Sequence, residues 1–120
     1  MQNPFLRSAS RKFASRSQLL NLARRTAQRI AANHPEVSRV ILFGSFARGD
    51  FGARSDLDLL IVLKSSQLPI RERIGEFIAE CGAYPTDVFP LTEAELESRL
   101  QNGDPFWMQA MREGIECFRR

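Results

Sequence analysis

Two cysteines, one histidine, one tryptophan and one tyrosine are all that the 120 residues hold of these types. Cys81 and Cys117 lie far apart, and neither has a second cysteine or a histidine at metal-ligand spacing. That excludes a zinc knuckle and a disulfide-stapled scaffold, and predicts two reduced core residues in a cytoplasmic protein. The lone His34 falls just before Pro35, where Asn-His-Pro ends a helix, so it reads as a cap or a surface residue and not as a catalytic base. Long hydrophobic runs are missing as well. The longest, Leu57 to Leu63, is interrupted by Asp58 and is far too short to span a bilayer, so no membrane partner is expected. Internal repeats and low-complexity segments are absent.

Negative charge is missing from the first third of the chain. The first acidic residue is Glu36, and before it lie Arg7, Arg11, Lys12, Arg16, Arg24, Arg25 and Arg29. Such a basic segment suits a solvated helix face, the phosphates of a nucleotide, an acidic partner or nucleic acid, and charge alone does not choose among them. Nucleic acid is the less favoured, because no stacking aromatics are interleaved with the arginines. Residues 1 to 17 have the Arg-rich, acid-free look of a presequence, but the segment after them is equally acid-free and reads as structural.

What is present is ordinary globular material, 43% hydrophobic and 26% charged with net charge +3, enough for one domain with one core. Residues 1–14 read as a basic extension and 15–120 as the domain. Ser15 or Ser17 caps a predicted helix to Ala32, and Val37 to Phe43 reads as a buried strand closed by Gly44. Ser45 to Ser55 should be a short helical turn and a loop, with Asp56 to Leu63 a second strand. Ile70, Ile74, Phe77, Ile78 and Cys81 follow helical spacing, which predicts an amphipathic helix over Pro69 to Cys81. Tyr84 to Phe89 reads as a third strand with Pro85 at its start or on an edge. Thr92 with Glu95 is a capping box, Asp104-Pro105 opens a further helix, and Ile115 to Phe118 reads as a last short strand. Phe106, Trp107, Ala110 and Met111 form an apolar stripe that is either core or a surface for a partner or second subunit. The order predicts an α/β domain with a small mixed sheet flanked by helices.

The chemistry concentrates in Gly44-Ser45-Phe46-Ala47-Arg48-Gly49 and in Asp56-Leu57-Asp58. Residues two apart on a strand share a face, so the Asp56 and Asp58 carboxylates converge, while Leu57, Leu59, Ile61 and Leu63 form the opposite, apolar face. Two like charges side by side are unfavourable unless a cation lies between them, and hard oxygen ligands suit Mg²⁺. Gly44-Ser45 opens a helical turn whose free N–H groups favour a phosphate, with the Ser45 hydroxyl and the Arg48 guanidinium as further donors. Asp87 joins Asp56 and Asp58 if the third strand flanks the second. Three carboxylates, two metal ions and a nucleoside triphosphate are the parts of an in-line phosphoryl displacement.

Gly-Ser followed ten residues later by Asp-x-Asp, within Gly-Ser-x-Ala-Arg-Gly, resembles the minimal nucleotidyltransferases of the DNA polymerase β superfamily. The likeness runs from the first helix to Glu113-Gly114-Ile115. It implies that Asp56, Asp58 and Asp87 hold two Mg²⁺ ions, with Asp87 also helping to deprotonate the acceptor hydroxyl. It further implies that Gly44 and Ser45 bind the triphosphate of ATP and that Arg48 contacts phosphate. Members of this size often accompany a HEPN-domain RNase as a toxin–antitoxin pair, and many such antitoxins transfer AMP from ATP to a tyrosine of the toxin. The alternatives are an antitoxin that acts by binding alone, with an idle nucleotide site, or a transferase for nucleic acid ends or a small-molecule hydroxyl.

Overall fold

Val40 to Phe43 and Leu59 to Val62 are apolar at every position, the pattern of strands covered on both faces, and both form inner strands of one sheet. A computed structural model describes residues 15–50 and 56–120. Its elements are α1 (Arg16–Asn33), β1 (Val37–Phe43), α2 (Ser45–Arg48), β2 (Leu57–Leu63), α3 (Ile70–Ile78), β3 (Thr86–Thr92), α4 (Glu93–Gln101), α5 (Pro105–Glu113) and β4 (Ile115–Arg119). The sheet order is β3-β2-β1-β4, with β1 antiparallel to both β2 and β4 and β2 parallel to β3 across the α3 connection. The mixed α/β architecture is the one the sequence predicts. The predicted extension before Ser15 and the loop over 51–55 lie outside the described residues.

Helix starts are set by side chains that satisfy first-turn N–H groups. The Ser15 hydroxyl accepts from the Gln18 backbone N–H at 3.2 Å while the Gln18 side-chain amide oxygen accepts from the Ser15 backbone N–H at 2.9 Å. Thr92 and Glu95 do the same for α4, at 3.1 and 2.8 Å. Asp104 caps α5 ahead of Pro105, its carboxylate accepting from Phe106 and Trp107. His34 is the C-cap of α1, its ring against Phe77 at 4.6 Å and its two nitrogens beside Glu36 and Glu80, which ties the end of α1 to the end of α3.

The period-two pattern of β2 divides the core. Leu57, Leu59, Ile61 and Leu63 pack with Leu19, Ala23, Ala27 and Ile30 of α1 and with Phe46 and Phe77. On the other face Leu60, Val62, Ile41 and Phe43 pack with Leu91, Leu96, Trp107 and Ala110 under α4 and α5. The apolar stripe of α5 is thus divided: Trp107 and Ala110 are buried, Met111 is half-buried, and Phe106 is 52% exposed.

Two expectations are corrected. The third helix ends at Ile78, and Ile74 and Ile78 are 38% and 44% exposed, whereas Arg73 is 4% exposed. Arg73 donates to the Leu68 carbonyl at 2.8 Å, to the Pro90 carbonyl at 3.2 Å and, through two nitrogens, to both Glu95 oxygens at 2.6 and 3.1 Å. A guanidinium so satisfied can be buried, and it turns the helix so that the two isoleucines face outward. The third strand runs on through Pro90 to Thr92, because an edge strand tolerates a residue that cannot donate.

The Arg73 guanidinium, helped by the Thr92 N–H, holds the Glu95 carboxyl near 2. Its folded value lies below its ordinary one, so this stabilisation is complete above about pH 4.5 and fades as pH falls toward 2. Glu95→Ala leaves a buried guanidinium with carbonyls only and removes half of a capping box. We expect it to lower unfolding free energy by about 2–3 kcal/mol at pH 7 in urea titrations, somewhat less than for breaking a fully buried pair because Glu95 itself is one-third exposed. An unchanged urea midpoint would contradict this.

Candidate active site

Gly44 ends β1 with φ 76° and ψ −153°, a conformation essentially reserved for glycine, and a side chain there would collide with the Asp58 carboxylate. The absent side chain therefore allows a carboxylate and a backbone turn to share one spot. Ser45 begins α2 directly afterwards, and Gly49 ends it in the left-handed region, its N–H donating to the Ser45 carbonyl. Phe46 is 1% exposed and anchors this single turn in the core, which fixes where the first-turn N–H groups lie.

The register aligns the acidic residues. Phe43 is the Cα partner of Asp58 on one side, and Asp87 is its partner on the other, so Asp58 and Asp87 sit opposite one another on adjacent strands, roughly 4.8 Å apart in strand spacing. Asp56 precedes β2 by one residue and is half-buried, whereas Asp87 is exposed on the edge strand. Burial first, then the negative charges of Asp87 and Asp56, push the Asp58 carboxyl up from 3.8 to about 6, against a lowering pull from Arg48. A carboxylate buried beside like charges is relieved by a cation among them, and three hard oxygen donors fit Mg²⁺. The structure brings Asp56, Asp58, Asp87 and Gly44 together; Asp87 meets the others at the strand edge and not within an apolar core.

A cavity of about 350 Å³ opens over this spot. Gly44, Ser45, Arg48 and Asp58 form one wall, and Phe106, Gln109 and Glu113 of α5 form the other. The Arg48 guanidinium donates to Asp50 at 3.1 Å and lies 3.6 Å from Glu113, so it stands charged at the rim between two carboxylates. The α5 wall is the part that sequence reasoning missed. Its signal was the spacing 106, 109, 113, one helical face beside the apolar stripe. At the opposite end of β1, His34, Glu36 and Glu76 offer ligand atoms within 4.8 Å of one another, but His34 is already engaged by Glu36 and Glu80. No helix among the described residues is long and apolar enough to cross a membrane.

The nucleotidyltransferase domain family matches residues 23–112. A protein of Methanocaldococcus jannaschii named "Putative protein adenylyltransferase MJ0141" is 59% identical over 29 residues, 24% of this chain and 29% of that relative's length. Among solved structures, a putative nucleotidyltransferase from Sulfolobus solfataricus superposes with TM-score 0.65 at 23% identity, covering 95% of this chain and 88% of the other, a likeness of fold. A chain from a toxin–antitoxin crystal structure with AMP-PNP has TM-score 0.48 and 17% identity over 89% of this chain and 75% of its own. The match over residues 23–112 takes in the Gly44-Ser45 turn and all three carboxylates, and the chain belongs to the nucleotidyltransferase domain family.

Proposed function

We propose that this chain transfers a nucleoside monophosphate, AMP from ATP, to a hydroxyl of a partner protein, with residues 15–120 as the transferase domain and residues 1–14 as a basic extension. The observation that carries the reading is the register of Asp58 opposite Asp87 with its carboxylate against Gly44. An adenylyl group and a protein acceptor are supported by the relative from M. jannaschii, whose name specifies both. Asp56, Asp58 and Asp87 would hold two Mg²⁺ ions, which supply neutralisation of the triphosphate and of the charge that develops at the reacting phosphorus.

The chain's own groups do the rest. The first-turn N–H groups of α2 and the Ser45 hydroxyl receive phosphate oxygens, and Arg48 adds positive charge at the same rim. Asp87 takes the proton of the acceptor hydroxyl. The acceptor oxygen bonds to the α-phosphorus as the bond to the leaving diphosphate breaks. Because Asp87 is exposed on the edge strand, a hydroxyl carried on a large protein surface can reach it.

The partner proposed is a HEPN-domain toxin offering a tyrosine, where AMP adds bulk and negative charge that repels an RNA backbone. Incubation of the chain with Mg²⁺, ATP and the HEPN protein encoded beside it should add one or more AMP units to that protein in intact mass spectrometry, and Asp56→Asn should remove the addition. An unmodified toxin that the Asp56→Asn chain still inhibits would contradict transfer and favour neutralisation by binding alone.

A further inference from the structure

The lining of the cavity over Asp58 is chemically of two kinds. Ser45, Arg48 and Asp58, with the Gly44 backbone, supply polar and charged groups, whereas Phe43, Phe89 and Phe106 supply aromatic surface beside them. Phosphates account for the polar groups and leave the aromatic surface without an occupant.

Phe106 stands out there. It lies among Phe43, Phe89 and Trp107, each ring of the four in contact with the other three at centroid separations of 4.8 to 6.3 Å, yet it remains 52% exposed. The Asp104 cap and Pro105 at the first helical position fix the residue at the very start of α5. A ring held this firmly and left half in solvent is a stacking platform whose ordering cost has already been met.

Gln109 lies one turn further along the same wall. Its amide nitrogen donates to the Glu113 carboxylate at 3.3 and 3.4 Å, and Glu113 in turn faces Arg48 at 3.6 Å. With the –NH₂ end turned to Glu113, the Gln109 carbonyl is the end left for a ligand, and a carbonyl oxygen accepts only. The amine at C6 of adenine donates to such an oxygen, whereas the carbonyl that guanine carries at C6 is repelled by it.

Building on the nucleotidyltransferase reading above, we infer that Phe106 stacks on the nucleobase and that Gln109, oriented by Glu113, selects a purine with an amine at C6 over one with a carbonyl there, adenine before guanine. The aromatic part of the lining is then the base subsite, and Arg48 and Glu113 link it to the phosphate subsite through one ion pair.

Calorimetry with Mg²⁺ and each of ATP, GTP and inorganic tripolyphosphate tests this. The wild-type chain should bind ATP more tightly than GTP and GTP more tightly than tripolyphosphate. Phe106→Ala should weaken ATP about tenfold, the lower part of the range for one base–aromatic stack, and leave tripolyphosphate within about twofold. Phe106→Tyr should keep wild-type affinity, and unchanged tripolyphosphate binding shows that each variant is folded. Gln109→Ala should narrow the ATP-over-GTP preference severalfold. Wild-type ATP affinity in Phe106→Ala, or equal affinity of the wild type for ATP and GTP, overturns the base subsite while the phosphate and metal site stands. A wild-type chain that binds none of the three overturns both.

Discussion

A chain carrying Asp56→Asn and Asp58→Asn is expected to transfer no detectable nucleotide while unfolding no earlier than the wild type. The loss follows from charge. Two carboxylates that would hold the divalent ions become neutral amides, and a bound divalent ion contributes several kcal/mol to phosphoryl transfer, so the rate should fall by about three powers of ten or more. The retained stability follows from the same geometry. Burial and the charges of Asp87 and Asp56 raise the Asp58 carboxyl to about 6. A folded value above the unfolded one means that the folded chain binds more protons, so stability declines as pH rises from about 4 to about 6 and Asp58 ionises. At pH 7 asparagine removes the buried charge and its repulsion, and Tm by calorimetry should be equal or slightly higher. A variant that melts well below the wild type would contradict the account of Asp58 as a strained carboxylate.

Asp87→Ala should separate chemistry from binding. Asp87 lies at the exposed edge of the sheet, opposite Asp58, where no core packing depends on it. If it takes the proton of the acceptor hydroxyl, its removal should lower turnover by about 10²- to 10⁴-fold, the usual range for a positioned acid or base. Affinity for Mg-ATP, which under the proposed function would rest on Gly44, Ser45 and Asp58, should change by only a few-fold. Transfer at the wild-type rate in a variant of wild-type Tm would return Asp87 to a structural role.

These predictions rest on features that were unevenly legible in the residues. Val37 to Phe43 reads as a strand because its apolar run ends at Gly44, and the structure gives it the same bounds. The Thr92–Glu95 box and the Asp104-Pro105 start are local chemistry, decided within one helical turn, and they too are seen as read. The pairing of Asp58 with Asp87 is different. It depends on β3 lying beside β2 in parallel, which is a property of the sheet order and of no segment, so the sequence supports it only as a condition. Arg73 went unrecognised because arginine in an amphipathic pattern reads as solvent-facing; its burial depends on carbonyls and a carboxylate from three separate segments. The α5 wall was hidden for a related reason. Phe106 belongs to the apolar stripe by type, and only the packing of Trp107 beneath it reveals that its ring is left for the cavity.

The central claim is that a cation among Asp56, Asp58 and Asp87 and the turn at Gly44-Ser45 together bind a nucleoside triphosphate. Calorimetric titration of the wild-type chain with ATP, once with Mg²⁺ and once in EDTA, tests it most directly. Saturable binding with Mg²⁺ that disappears in EDTA is the predicted result; equal affinity in both would contradict the claim.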